Sequence, residues 1–109
     1  MNFTTLNLNK DFRRIYGRGR SYISPQLVTY VMPKKNGGLR IGITTSKKIG
    51  CAVKRNRARR VIMAAWRNCL PQVNGNYDFV FVARVKTTLV KSTDIERAMK
   101  RHLSEAGVI

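Results

Sequence analysis

Acidic residues are scarce. The chain of 109 residues holds five, Asp11, Asp78, Asp94, Glu96 and Glu105, against 22 Lys and Arg. From residue 12 to residue 77 there is no carboxylate, although that stretch carries 15 Lys and Arg. The surplus of +17 is therefore segregated, unlike the interspersed charge of an ordinary solvated face. Cysteine is scarce too. Cys51 and Cys69 are too few for a disulfide scaffold and lack the companions of a zinc site. The one histidine, His102, has no second His or Cys with which to hold a metal. No apolar run approaches the ~20 residues of a membrane span, and Val61–Trp66 is among the longest. The opening MNFTTLNLNK lacks the basic and then apolar segments of a secretion signal. These absences lead us to expect a cytoplasmic protein with neither a membrane nor a small-molecule substrate as its partner.

What is present is a foldable chain with a one-signed field. At 43% hydrophobic with nine aromatic residues it is too apolar for a disordered basic tail. Its length suits one domain over residues 1–109, burying about 65% of the unfolded surface. Self-repulsion on this scale adds nothing to fold stability, and the partner that relieves it is a polyanion, most often a nucleic acid.

Along the chain, Asn9 is placed as an N-cap with Asp11 in the first turn. Phe12, Ile15 and Tyr16 then recur at helical spacing until Gly17 offers a stop. Ser21–Ile23 reads as an edge strand, and Leu27–Met32 and Leu39–Ser46 as strands forming a hairpin. On the second of these, Arg40, Gly42, Thr44 and Ser46 share a face that reads as solvent or ligand side. A long helix follows from Ala52 to Leu70, closed by Pro71, with Ala58, Val61, Ile62, Ala65, Trp66 and Cys69 on one stripe. Its other side carries Asn56, Arg60, Met63 and Arg67, flanked by Arg55, Arg57 and Arg59. Tyr77–Arg84 is apolar on both faces and so belongs inside the sheet. Ser92–Ala106 closes the chain as a helix, with Thr93 and Glu96 at capping-box spacing and Ile95, Ala98, Met99 and Leu103 as its packing stripe. His102 falls on that stripe and, like Trp66, reads as packed.

Lys47 to Arg67 holds eight cations in 21 residues. Lys54, Arg55 and Arg57 fall in the first turns of the long helix, where the macrodipole is already positive and each cation costs ~0.3–1 kcal/mol. A phosphate relieves both terms by meeting the free helix N–H groups and the guanidinium groups together. Asn56 adds groups that can reach a base edge or a sugar.

The string SKKIGCAVKRNRARR resembles the signature of the bacterial ribonuclease P protein family, an Arg-Asn-Arg motif after Lys-Lys-x-Gly-x-Ala-Val. LNKDFRRIYGRGRSY at residues 8–22, the strand with Tyr30 and YDFVFVAR are similar to further parts of that family, so the resemblance covers nearly the whole chain. It implies an α+β fold, a small mixed four-stranded sheet with helices packed on it in the order α-β-β-β-α-β-α. The resemblance also implies a left-handed βαβ crossover, similar to a ribosomal S5 domain. The implied role is that of a subunit of an RNA-based endonuclease. A catalytic RNA, with Mg²⁺ held by that RNA, removes the 5′ leader of precursor tRNA, and the protein binds both RNAs and supplies no catalytic residue.

The resemblance assigns Arg55, Asn56, Arg57, Arg59 and Arg60 to the catalytic RNA, with Lys47 and Lys48 on the same surface, and the charge of the same helix adds Lys54 and Arg67 to that set. It assigns Phe12, Tyr16 and Tyr30 to the leader, in a cleft between the long helix and the sheet. That pairing of a basic groove with aromatic platforms is how single strands are held without sequence preference. The family usually has a basic residue and then an acid where Met63 and Ala64 stand here. Met63, placed in the middle of the polar face, removes one charged contact, with Arg67 one turn on to substitute. Two other functions are weighed beside this one: a ribosomal-type protein that only stabilises folded RNA, and a self-sufficient nuclease pairing His102 with an acid.

Overall fold

The computed structural model describes residues 2–109. The elements run β1 (Phe3–Thr5), α1 (Asn9–Arg18), β2 (Arg20–Ser24), β3 (Leu27–Pro33), β4 (Leu39–Thr44), α2 (Ala52–Cys69), β5 (Tyr77–Ala83) and α3 (Ser92–Glu105). Short 3-10 turns occupy Lys47–Ile49, Leu70–Gln72 and Val85–Leu89. Five strands form one mixed sheet in the order β1-β4-β5-β3-β2. β1, β4 and β5 are parallel, and β3 is antiparallel to both β5 and β2.

The α+β class holds, with two differences from the sequence expectation. The sheet has five strands instead of four, because the chain's first residues pair with Leu39–Ile41. Three residues, FTT, are too short a run to show alternation. The expected hairpin between β3 and β4 does not form, because β5 lies between them. β5 is apolar on both faces, so the centre of the sheet is where both faces are covered. The hairpin that does form joins β2 to β3, with Ser24 opposite Leu27 across Pro25 and Gln26.

Helix ends shift as well. Leu8, not Asn9, takes the cap position of α1, without a side-chain bond, and α1 continues past Gly17 to Arg18. Gly19 ends it: its N–H bonds Ile15 O at 2.8 Å, and a Cβ there would lie 2.6 Å from that same oxygen. In α3 the cap is Lys91, whose N–H donates to Asp94 Oδ2 at 3.3 Å. Glu96 instead accepts from Asn68 Nδ2 at 2.8 Å and pairs with Lys100 at 3.0 Å, so the Thr93–Glu96 box does not form.

One face of the sheet is covered by α2 and α3. Ala58, Ile62, Ala65, Trp66 and Cys69 of α2 and Ile95, Ala98, Met99 and Leu103 of α3 meet Leu27, Val31, Ile41, Phe79 and Phe81. Each large side chain withdrawn from water here contributes roughly 1.5–3 kcal/mol. Trp66 centres the cluster, with Phe79 and Phe81 at 5.3 and 5.7 Å between ring centroids. Burial pushes the Cys69 thiol up to about 11, with the Glu96 carboxylate adding to it, which leaves Cys69 an inert apolar side chain. His102 is buried on this side and shares a 2.8 Å hydrogen bond between its Nδ1 and Thr29 Oγ1.

The other face carries α1 alone, seated through Ile15 on Leu6 and Val80. The Gly42 face of β4 is on this side, as its alternation foretold. Met63 does not sit in the middle of a polar face. It is half-buried, packs against the core and borders a groove beside β4. Among the described residues no helix is long and apolar enough to cross a membrane.

Candidate nucleic-acid interface

The start of α2 is assembled by a tight connection. Lys47 and Lys48 lie on a single 3-10 turn, and Gly50, at φ 127°, makes the reversal into Cys51 that a side chain would strain. Cys51 is the N-cap residue and makes no side-chain capping bond. The first intrahelical bond runs from Arg55 N to Cys51 O. The N–H groups of Ala52, Val53 and Lys54 therefore precede the helical ladder and are open to an anion. No acid lies in this first turn. The N–H groups of Lys54 and Val53, helped by the Lys54 charge, hold the exposed Cys51 thiol below its ordinary pKa.

Four of the five carboxylates are committed elsewhere. Asp78, buried on β5, accepts from Arg40 Nε at 2.9 Å and Nη2 at 2.8 Å. Lys34 Nζ lies 3.0 Å from Asp78 Oδ1 and Arg14 Nη2 3.5 Å from Oδ2. Asp11 adds contacts of 3.1 Å to Arg14 and 3.8 Å to Arg40. Burial alone would push the Asp78 carboxyl up, but the hydrogen bonds from Arg40 and Lys34 and their charges outweigh it and hold the group below its usual range. Asp94 and Glu96 pair within α3, with Arg97 and Lys100. Among the described residues no cation from Lys47 to Arg67 has a carboxylate within ion-pair reach.

A groove runs between α1 and α2 across the outer side of β4. Three adjoining cavities of about 360, 330 and 220 Å³ make it up, and Arg59 borders all three. Leu6, Phe12, Gly42 and Met63 line one end, Tyr16 and Thr44 the middle, and Arg55 and Asn56 the other end. The Arg59 guanidinium is anchored by a 3.1 Å bond to Ile43 O. Tyr16 and Thr44 hydroxyls share a 2.7 Å hydrogen bond that ties α1 to β4. The Tyr30 ring stands edge-on to Tyr16 at 4.9 Å, and Phe12 lies 6.5 Å from Tyr16.

The expected leader residues therefore come together as one aromatic row, Phe12–Tyr16–Tyr30, with only the first two lining the groove itself. The cationic set divides. Arg55, Asn56 and Arg59 line the groove, while Lys54, Arg57, Arg60 and Arg67 are exposed on α2 outside it. Arg57 reaches Thr88 O at 3.4 Å, and Lys48 borders a separate apolar recess beside Ile23, Val85 and Arg84. The alternation of β4 had already put Thr44 on a solvent or ligand face, whereas Leu6 and Thr45 line the groove without any signal in the sequence. Among the described residues no three His, Cys, Asp or Glu side chains gather as a metal site, and Asp11 and Asp78 already hold cations. The described residues do not fit a Mg²⁺ site.

Known proteins of like sequence and shape bear on the groove. The family model described as Ribonuclease P matches residues 1–107. A protein of Clostridioides difficile (strain 630) named Ribonuclease P protein component is 40% identical over 104 residues, covering 94% of this chain and 91% of its own. Its namesake in Clostridium botulinum (strain Loch Maree / Type A3) is 39% identical over 101 residues, 92% and 91% of the two chains. The solved RNase P protein of Staphylococcus aureus superposes with a TM-score of 0.83 at 30% identity, over 95% of each chain. That of Thermotoga maritima, at 23% identity, shares the fold with a TM-score of 0.81 over 93% of this chain and 96% of its own.

Proposed function

The chain belongs to the ribonuclease P protein family, and we propose that it is the protein subunit of an RNase P ribonucleoprotein. In this reading it acts in tRNA 5′-end maturation by gripping the catalytic RNA with α2 and the single-stranded leader of precursor tRNA in the α1–α2 groove. Lys47, Lys48, Lys54, Arg55, Asn56, Arg57, Arg60 and Arg67 meet the RNA subunit. Arg59 stands where both ligands come within reach. Phe12, Tyr16 and Tyr30 offer stacking surfaces worth ~1–3 kcal/mol per base, indifferent to base identity, as a substrate set with varied leaders requires. In this reading Mg²⁺ chemistry belongs to the RNA. The whole of residues 1–109 acts as one RNA-binding domain, in the cytoplasm.

The observation that carries this reading is the division of charge. Four of the five acids are spent on Arg14, Lys34, Arg40 and the cations of α3, and the start of α2 is left uncompensated with free helix N–H groups beside it. A helix start of this kind is stabilised by a phosphate backbone.

Replacing Arg55 or Arg57 with Ala tests it. Affinity for the catalytic RNA should fall, and the slope of log affinity against log salt should become shallower by up to about one unit per lost phosphate contact. Tyr30→Ala should raise the Michaelis constant for leader-bearing substrate with that slope nearly unchanged. Identical slopes in all three variants would contradict the division between helix and aromatic row. Recovery of ribosomal RNA in place of a catalytic RNA would favour a ribosomal-type role, and cleavage by the pure protein would favour a protein nuclease.

A further inference from the structure

Gly17 is a glycine that the fold itself does not require. It lies inside α1, it is absent from the positive-φ positions, and a Cβ built on it meets nothing within 4 Å. Glycine is the least helix-favouring residue after proline, so this one weakens α1 with no return inside the chain. At about 100° per residue, Lys10, Arg13 and Gly17 fall within roughly 60° of one another along the crest of α1, opposite the buried Ile15. Lys10 and Arg13 are exposed, and neither has a carboxylate partner among the described residues. Asp11, the one acid of α1, is turned aside to Arg14 and Arg40. The result is a cationic crest whose C-terminal end carries no side chain, open to an anionic chain that approaches the helix backbone closely there.

We propose that this crest is a second docking surface for the sugar–phosphate backbone of the RNA subunit. Gly17 is its point of closest approach, and Lys10 and Arg13 meet phosphates farther along the crest toward the start of α1. The inference rests on the reading of α2 as an RNA-binding helix and extends it to the opposite face of the sheet. Charge selects the occupant, since a neutral or cationic partner gains nothing at such a crest. Placement selects the RNA subunit over the leader. The crest faces away from the sheet, and Lys10, Arg13 and Gly17 line none of the groove's cavities, whereas Phe12 and Tyr16 do, so a strand seated in the groove does not occupy the crest.

Three variants test this, each measured for thermal midpoint and for affinity to the RNA subunit across a salt series without precursor tRNA. Gly17→Ala should raise the midpoint by a few degrees, since helix propensity improves, and yet weaken RNA binding by about tenfold. The double variant Lys10→Ala/Arg13→Ala should leave the midpoint nearly unchanged and make the salt slope shallower by up to about two units. Arg55→Ala serves as the reference for α2. Unchanged affinity in both α1 variants, with Arg55→Ala still weakened, overturns the crest and leaves the α2 reading intact. A loss seen only once precursor tRNA is added gives the crest to the substrate and also overturns the proposal. If Arg55→Ala loses nothing either, the functional reading beneath it fails as well.

Discussion

Phe12 fills the space that a side chain on Gly42 would occupy: a Cβ on Gly42 would lie 2.5 Å from Phe12 Cε1 and 2.6 Å from Cζ. The glycine on β4 thus sets how closely α1 approaches the sheet and how deep the Phe12 ring sits in the groove. Gly42→Ala should force that ring outward at a cost of roughly 1–3 kcal/mol in denaturant unfolding. On the proposed function it should also weaken binding of leader-bearing precursor tRNA while leaving the affinity for the RNA subunit alone. Equal binding of leader-bearing and leaderless substrate by the variant and the parent would separate Phe12 from the leader.

Asp78 is the buried anion on which Arg40, Lys34 and Arg14 converge. Asp78→Asn keeps the shape but leaves three cations facing one another with only Asp11 near. We expect a loss of about 3–5 kcal/mol in chemical denaturation, as when one partner of a buried ion pair is removed. A change under 1 kcal/mol would mean that water already screens the cluster.

His102 supplies a pH dependence. Burial lowers its pKa, with Glu105 opposing and Arg101 assisting, and its Nε2 has no hydrogen-bond partner. The folded state thus binds the proton less readily than the unfolded chain does. Stability is full above the unfolded histidine value of about 6.5, declines as pH falls below it, and levels off beneath the lowered folded value. Thermal melts between pH 8 and 5 should show that decline in the parent and lose it in His102→Gln, whose amide can still meet Thr29. The contribution of Asp78 stays constant over this range, since its lowered pKa makes it lapse only below about pH 4.

The two thiols should report on RNA. Cys51 is exposed with its pKa drawn down by the α2 N–H groups, whereas Cys69 is fully buried with its pKa raised. Iodoacetamide at neutral pH should alkylate Cys51 and spare Cys69, as read by peptide mass. Prior addition of the RNA subunit should slow the reaction at Cys51. Equal rates with and without RNA would place the α2 start away from the interface.

Much of this molecule was legible because single residues carried one unambiguous signal. The Ala58–Cys69 stripe, the two-faced apolarity of Tyr77–Ala83 and the packed His102 all stand as periodicity placed them. Strand order was not legible, because β3 and β4 each present a good partner face and only the competition for the central position excludes their pairing. Phe3–Thr5 is a strand only because β4 offers a free edge, a tertiary fact with no local trace. Met63 was misplaced because 100° steps locate a face but not what α1 and β4 bring against it. Of the interface, the cations of α2 came from the string itself. The anchoring of Arg59 on Ile43 and the Gly42 seat for Phe12 belong to elements more than 15 residues apart in sequence.

The middle strand of the sheet is also its latest-made one. During synthesis at ~5–20 residues per second, β4 emerges with neither β5 beside it nor α2 above it. The hairpin of β2 and β3 can close early, but β1 and β4 must wait for Tyr77–Ala83 to reach them. A nascent chain stalled before that point exposes two apolar sheet edges and the whole arginine tract together, beside the ribosome's own RNA.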